Sequence, residues 1–137
     1  MRISQRGLYA LQALTALARQ HPSGVTKIKD IAAEENLPEK FLENILLDLK
    51  RARIVASVRG AHGGYQLNRA PAEIFLGDVI RRIDGPLAPF EDAESLRRRV
   101  QKDSKHRPLF QVLLDVRNAA AGILDHTSIA DLCCSRN

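Results

Sequence analysis

Residues 54–68, IVASVRGAHGGYQLN, constrain the fold more than any other stretch of this 137-residue chain. The first half alternates and is rich in β-branched residues, YQLN alternates again, and Gly60, Gly63 and Gly64 lie between the two runs. β-branched residues in alternation favour strands, and glycine permits the tight backbone of a turn. The pattern predicts a β-hairpin with a glycine tip.

Apolar residues before the hairpin recur at helical spacing and predict three helices. The first runs from about residue 5 to 20 with Ser4 as its N-cap, and the second is short, with Thr26 as its cap. The third, PEKFLENILLDLKRAR, has proline in its first turn, and its apolar positions predict a buried stripe of Phe41, Leu42, Ile45, Leu46 and Leu49. Two helices joined by a short turn have the shape of a helix-turn-helix, and a hairpin directly after them is a wing.

The chain after the hairpin divides further. A short helix in GDVIRRIDGP, stopped by Gly85-Pro86, completes a first domain of residues 1–85. Residues 86–107 contain prolines and many charges but few apolar anchors, so we expect a loop with room for one short helical turn. Residues 108–137 begin with a strong helix at 108–125 and end in a short cap. The predicted fold class is mainly α with a small β-hairpin: a winged helix-turn-helix followed by a long C-terminal helix.

The helix at 108–125 exposes more apolar surface than the small unit before it can cover. One stripe consists of Leu109, Leu113, Val116, Ala120 and Ile123. A second copy of the same helix would cover this stripe and give a twofold homodimer, whereas packing on the first helix would bury it within one chain. We expect both, on different faces of the helix.

Positive charge is concentrated in the first half of the chain. Residues 1–70 carry 11 of the 21 Lys and Arg but 6 of the 16 Asp and Glu, whereas residues 71–137 carry ten of each. The formal net charge of +5 therefore lies entirely in the half that contains the predicted winged helix. Such asymmetry is typical of a domain that meets a polyanion, although a chance imbalance on a solvated surface would look the same.

The outer face of the third helix and the wing carry residues suited to double-stranded DNA. Early residues of a recognition helix reach base edges, and later basic residues meet phosphates. Glu43 can accept a hydrogen bond from cytosine N4, or alternatively pair with a lysine on its own helix. Arg59 is placed to enter a minor groove, and His62 is either a phosphate donor or an exposed loop histidine. The candidate contacts from these two elements are Lys40, Glu43, Asn44, Lys50, Arg51, Arg59, Gly60, His62 and Gly63.

The sequence does not support a nucleotide-binding, catalytic or metal site. RGAHGGY lacks the Lys-Ser/Thr of a Walker loop, and strand-like residues follow it, so we do not expect a nucleotide cradle. The four histidines have no nucleophile or paired carboxylate at convincing spacing, so we expect no enzyme. Cys133 and Cys134 are adjacent, which excludes a CxxC motif, and we expect no metal and no other cofactor. No apolar run approaches the ~18 residues that span a bilayer, so we expect a cytoplasmic protein without a membrane partner.

Three segments resemble, in order and spacing, the Rrf-type family of bacterial winged-helix regulators, which includes IscR, NsrR and CymR: MRISQRGLYALQALTALA, IAAEENLPEKFLENILLDLKRARIVASVRGAHGGYQLNR and PAEIFLGDVIRRIDGP. The most diagnostic combination is FLE in the third helix with VRG-x-x-GGY in the wing. The resemblance implies a dimer on a palindromic operator, with Glu43 reading bases and Arg59 in the minor groove. It also implies that Ser4 and Gln5 lie near the phosphates.

Many members of that family hold an iron–sulfur cluster through three cysteines spaced about C-x5-C-x5-C before the long helix. Counted back without gaps from Leu109-Phe110, the equivalent positions here are Asp92, Arg98 and Ser104. Clusters are held by thiolates, and residues 86–107 contain no cysteine. The resemblance therefore implies a member without the cluster.

The resulting expectation is a homodimeric, cluster-free transcriptional repressor that binds specific double-stranded DNA. One alternative is a winged-helix module that acts by binding a partner protein, and another is a regulator with an atypically ligated cluster. The basic run Arg97–Arg99 could receive an anionic small molecule or an acidic partner protein, or could simply be solvated.

Overall fold

The computed structural model describes residues 2–134. Residues 135–137, part of the predicted C-terminal segment, lie outside the described residues. The elements in chain order are helices α1 (Gln5–Arg19), α2 (Ile28–Glu35) and α3 (Glu39–Arg51), strands β1 (Val55–Val58) and β2 (Gly64–Leu67), a 3-10 turn (Pro71–Glu73), and helices α4 (Leu76–Asp84), α5 (Ala93–Lys102), α6 (Arg107–Leu124) and α7 (Ile129–Cys134). A mainly α fold with one antiparallel hairpin confirms the predicted class.

Helix α1 lies at the centre of the main hydrophobic core. Its Ala10, Ala13, Leu14 and Leu17 are buried, and the helix packs against α2, α3, α4 and α7. Burial of each leucine side chain contributes roughly 1.5–3 kcal/mol, so this shared core holds the helices together. Ile129 of α7 belongs to the same core, which means that the C-terminal helix packs onto the winged-helix unit.

The start of α1 is fixed to the end of α4. Ser4 is the N-cap, as predicted, and its Oγ accepts a hydrogen bond from the Gly7 N–H at 3.0 Å. The Ser4 N–H donates to Asp84 Oδ2 at 2.9 Å, and the Ser4 hydroxyl donates to Asp84 Oδ1. One carboxylate therefore fixes the cap residue through two hydrogen bonds.

Helices α2 and α3 form the helix-turn-helix. Asn36 ends α2 in the left-handed conformation with φ of 56°, and Pro38 is the N-cap of α3. The prediction that Phe41 belongs to the buried stripe of α3 is wrong, because its side chain is 40% exposed and its ring meets Tyr9 edge-on, with centroids 5.5 Å apart. The other four positions of the stripe are buried.

The wing is an antiparallel pair in which Val55 lies opposite Leu67 and Val58 opposite Gly64. Thr26 does not cap α2, which begins behind Lys27, so that prediction is also wrong. Thr26 instead extends the sheet, because its N–H and carbonyl each hydrogen-bond to the backbone of Tyr65 at 2.8 Å. The strand partner competes successfully with the cap because it satisfies two backbone groups at once.

Residues 86–107 are not a loop with a single turn, because α5 contributes ten helical residues there. Asp92 caps this helix by accepting from the Ser95 N–H at 2.8 Å. Leu96 is fully buried and packs with Phe110 and Leu114 of α6 in a small separate core. Val100 and Leu113 pack against the same core, so tertiary contacts hold this charged helix in place.

Helix α6 has buried and exposed apolar faces. Phe110, Leu114 and Ala121 face the rest of the chain, and the main packing partner of α6 is α5, not the first helix as expected. Of the predicted stripe, Leu109, Val116 and Ile123 are exposed, but Leu113 packs partly against the small core around Leu96 and Ala120 is half-buried, so these two positions were predicted wrongly. Val112 is exposed beside the other three and completes the apolar stripe that faces solvent. The final segment docks as a cap, since the Leu76 N–H donates to the Thr127 carbonyl and the Ile129 N–H to the Ile74 carbonyl, both at 2.9 Å. Within the described residues, no helix has both the length and the apolarity to cross a membrane.

Candidate nucleic-acid interface

Helix α3 presents one polar face to solvent. The exposed side chains on this face are Lys40, Glu43, Asn44, Leu47, Lys50 and Arg51. At 3.6 residues per turn these positions fall within about a third of the helix circumference, opposite the buried leucines and Ile45. The predicted contacts of this helix therefore point the same way. Their roles on DNA stay predictions.

Glu43 is the one acidic side chain among these six residues of α3. None of the ion pairs among residues 2–134 involves it, so the alternative of a pair with Lys40 or Lys50 does not occur in this conformation. An exposed carboxylate without a cation is left with acceptor capacity. That capacity suits a base-edge donor such as cytosine N4 and does not suit a phosphate.

Asn44 is held by Arg6, a basic side chain on another helix. Arg6 donates from Nη2 to Asn44 Oδ1 at 2.9 Å and from Nη1 to Asp48 Oδ2 at 3.2 Å. Because arginine only donates, the oxygen of the Asn44 amide must face Arg6 and its NH₂ group remains available. Asn44 is thus prepared to act as a donor towards an acceptor on a base or phosphate.

Asp48 joins α3 to two other helices. Besides Arg6 of α1, it accepts from Arg82 of α4, at 2.8 Å from Nη2 and 3.1 Å from Nε. Burial is the largest single influence and raises the pKa of Asp48, but hydrogen bonds from Arg82 and Arg6 more than offset it, so this pKa lies below its usual range. The carboxylate stays charged and fixes the orientation of α3. Arg6 and Arg82 lie 42 and 34 positions from Asp48 on other helices, so no pattern in the sequence predicts these contacts.

The wing tip is built around close backbone approach. Gly60 has φ of 111°, a backbone conformation that residues with a side chain rarely adopt. The Gly63 N–H donates a hydrogen bond to the Gly60 carbonyl at 3.0 Å. Gly63 is buried, so its prediction as a DNA contact is wrong, and a Cβ on it would overlap the carbonyl oxygen of Val58. Arg59 and His62 are exposed on this tip, and Arg59 forms no ion pair with any residue that the structure describes. An unpaired guanidinium on a thin tip is chemically suited to a groove.

Gln5 and Ser4, the remaining predicted DNA contacts, differ in whether their side chains already have hydrogen-bond partners. Gln5 is exposed, but both donors of Ser4 are committed to Asp84, so a phosphate contact by Ser4 would have to displace that carboxylate. Two further basic residues lie where α3 leads into the wing: Arg53, with φ of 62°, and Arg69, which donates to the Ala52 carbonyl at 3.4 Å. Their placement depends on the turn geometry, so helical spacing gave no signal for them.

The segment equivalent to a cluster loop does not fit an iron–sulfur centre. Asp92 caps α5, Arg98 pairs with Glu94 at 3.1 Å, and Ser104 is exposed. A carboxylate, a guanidinium and a hydroxyl do not replace thiolates, and residues 86–107 contain no cysteine. Across residues 2–134, no group of three or more His, Cys, Asp and Glu side chains is arranged to hold a metal ion.

Known proteins resemble the chain along nearly its whole length. A family model described as Rrf2, iron-dependent transcriptional regulator, matches residues 3–135. The HTH-type transcriptional regulator CymR of Bacillus subtilis is 38% identical over 132 residues, which are 96% of this chain and 89% of that protein. An rrf2-like HTH-type regulator of Rhodobacter capsulatus is 48% identical over 91 residues, which are 64% of this chain but only 60% of that protein.

Solved structures extend the likeness to the fold. The structure of CymR, the global cysteine regulator of B. subtilis, superposes with a TM-score of 0.86 at 35% identity, covering 100% of this chain and 99% of that one. These relatives are named as transcriptional regulators and not as enzymes. The chain therefore belongs to the Rrf2 family of DNA-binding transcriptional regulators.

Proposed function

We propose that this chain is a homodimeric, sequence-specific repressor that acts in the cytoplasm without an iron–sulfur cluster. The observation that carries the proposal is the exposed face of α3, where the unpaired Glu43 lies among Lys40, Lys50 and Arg51. A surface meant only for phosphates gains nothing from a carboxylate. A surface meant for base edges gains an acceptor there.

Helix α3 and the wing would contact different parts of the DNA. Glu43 and Asn44 supply an acceptor and a donor near the start of α3, where a recognition helix reaches the floor of the major groove. Lys50 and Arg51 lie about two turns later, where basic side chains meet the phosphates. Arg59 on the wing would add a contact in the adjacent minor groove, supported by its exposure and its lack of an ion pair among the described residues.

The exposed stripe of α6 supports the dimer. Leu109, Val112, Val116 and Ile123 project from one helix, and a twofold partner with the same stripe would cover them. Two recognition helices would then read a palindrome whose half-sites lie about one helical turn, ~34 Å, or a multiple apart. A dimer bound over a promoter blocks polymerase without any further surface, which is why we propose repression.

Selection of bound sequences from a random duplex library tests the proposal. We expect a palindrome, bound at ~150 mM salt at least ~1000-fold more tightly than a scrambled duplex of the same length. In vitro transcription from a promoter carrying the selected site should fall when the protein is added. Selection that yields no motif, or equal affinity for both duplexes, would refute sequence-specific binding.

The cluster-free part of the proposal has a separate test. Protein purified anaerobically should be colourless above 300 nm and should bind the selected duplex with the same affinity before and after treatment with an iron chelator. Absorption that disappears together with DNA binding would refute it and would favour unusual ligands.

A further inference from the structure

A depression of about 600 Å³ lies at the junction of α5 and α6 and is lined mainly by cations. Four of its lining side chains are basic: Arg98, Arg99, Lys102 and Lys105. The acidic one, Asp103, already accepts a hydrogen bond from the His106 N–H at 3.0 Å, which folds the turn between the helices. No part of the DNA-binding proposal uses this region.

Arg99 is the fixed member of the group. Its guanidinium carbon lies 5.4 Å from the centre of the Phe90 ring and 5.0 Å from that of Phe110. Its Nε and Nη2 donate to Glu91 at 2.7 and 3.3 Å, which leaves Nη1 without an acceptor among the described residues. Rings and carboxylate together hold the guanidinium in one orientation, so binding a ligand would cost little side-chain entropy.

The other cations are available. Lys102 and Lys105 are exposed and form no ion pair with any residue between 2 and 134. Arg98 pairs with Glu94, but that carboxylate is 80% exposed, and an exposed pair of this kind is weak enough to exchange for a better anion. Lys102 and Lys105 therefore have no carboxylate partner among the described residues, and a bound anion would supply one.

The arrangement favours a small ligand over an extended partner. Arg97 lies on the same helix between these residues in sequence, yet it does not line the depression. Four cations thus line one shallow depression that is open to solvent, and Arg97 points elsewhere. A volume of about 600 Å³ lies within the roughly 300–1,000 Å³ of small-molecule sites.

We propose that the α5–α6 depression binds a small polyanion with at least two oxyanion groups, phosphoryl or carboxylate, held by Arg99, Lys102 and Lys105. The turn positions Lys102 and Lys105 around one group, while Nη1 of Arg99 donates to the other. Because Arg99 stacks on Phe110, the bound anion is in contact, through one side chain, with the helix that carries the proposed dimer stripe.

Calorimetric titration of the full chain with pyrophosphate and, separately, with citrate tests the site at a constant ionic strength of ~150 mM. We expect saturable binding of at least one probe. The double substitution Lys102→Gln and Lys105→Gln should weaken it at least tenfold, and Arg97→Gln, which removes an equal kind of charge from the same helix, should change it less than twofold. Pyrophosphate binding alone would identify a phosphoryl ligand, and citrate binding alone a carboxylate ligand.

Three results would overturn the proposal: no saturable binding of either probe, an equal loss in Arg97→Gln, or amide chemical-shift changes centred on α3 and the wing instead of residues 95–105. The three substituted lysine and arginine positions are exposed, so thermal melting should show that the variants remain folded. Since the readout is anion binding and not DNA binding, failure here would leave the DNA-binding proposal unaffected.

Discussion

Replacing Ile123 with aspartate should dissociate the proposed dimer. Ile123 is 67% exposed when the chain is alone, the largest exposed fraction among the large apolar side chains of α6. A fully buried isoleucine side chain is worth roughly 1.5–3 kcal/mol, and a twofold interface contains this residue twice. The lost burial amounts to about 3 kcal/mol per dimer, before adding the cost of bringing two carboxylates into an apolar contact.

That loss corresponds to at least a ~100-fold rise in the dimer Kd, since each 1.4 kcal/mol is a factor of ten. Sedimentation equilibrium across ~0.1–100 µM protein should show the wild type mainly dimeric and Ile123→Asp mainly monomeric. Leu47→Asp is the matched control, because Leu47 is also exposed, at 40%, but lies on α3 away from α6. It should leave the dimer unchanged.

Two results would refute the reasoning. A wild-type chain that is monomeric at ~100 µM would mean that the stripe needs no partner of its own kind. An Ile123→Asp variant with the wild-type dimer Kd would mean that the chains associate through another surface. Helical content measured by circular dichroism should be the same in all three proteins, because both substituted side chains point into solvent.

Further substitutions address the DNA face and the internal ion pairs. Arg59→Ala should weaken operator binding by ~1–3 kcal/mol, whereas Glu43→Ala should mainly reduce discrimination between the selected half-site and a mutated one. Fluorescence anisotropy with both duplexes separates the two effects. Unchanged discrimination in Glu43→Ala would show that Glu43 does not read a base. Gly63→Ala should disrupt the wing and lower operator affinity, because its Cβ would overlap the Val58 carbonyl, while Ala61→Ser in the same exposed loop should bind like the wild type. The hydrogen bond from Arg81 holds the pKa of Asp125 below its usual range, so the stability from this pair is present above pH ~4 and is lost as the pH falls towards the lower, folded-state pKa. Asp125→Asn should therefore lower the free energy of unfolding by up to ~1 kcal/mol at pH 7, given solvent screening, and by less at pH 3.5; urea titrations showing the same difference at both pH values would contradict this.

The sequence was most informative where local pattern and tertiary packing agree. The glycines at 60, 63 and 64 predicted the hairpin because few other residues tolerate its tip, and Ser4 predicted the start of α1 because a cap depends on neighbours three residues away. The buried stripe of α3 was predicted at four of five positions. Phe41 differs because an aromatic ring can meet Tyr9 edge-on and still be partly in solvent.

The parts that were missed depend on long-range contacts. Helix α5 has Leu96 as its one fully buried side chain, and the core around it is completed by α6, so the segment by itself reads as a charged loop. Thr26 resembles a helix cap in the sequence because it precedes α2, whereas its strand partner, Tyr65, lies far along the chain. Arg6 and Arg82 could not be predicted for the same reason, because they contact α3 only where three helices meet at Asp48.

Helix α4 connects the proposed dimer and ligand elements to the DNA face. Arg81 donates to Asp125 at the end of α6 at 2.7 and 2.8 Å, and the next residue, Arg82, donates to Asp48 on α3. α4 has only nine residues, so we expect a shift of α6 that moves Arg81 to move Arg82 as well. An anion bound at Arg99 would act on α6 through Phe110, and α6 would act on α3 through this pair of arginines. We therefore expect a ligand bound at Arg99 to change the operator affinity of this chain through these side-chain contacts, without a thiolate-held cluster.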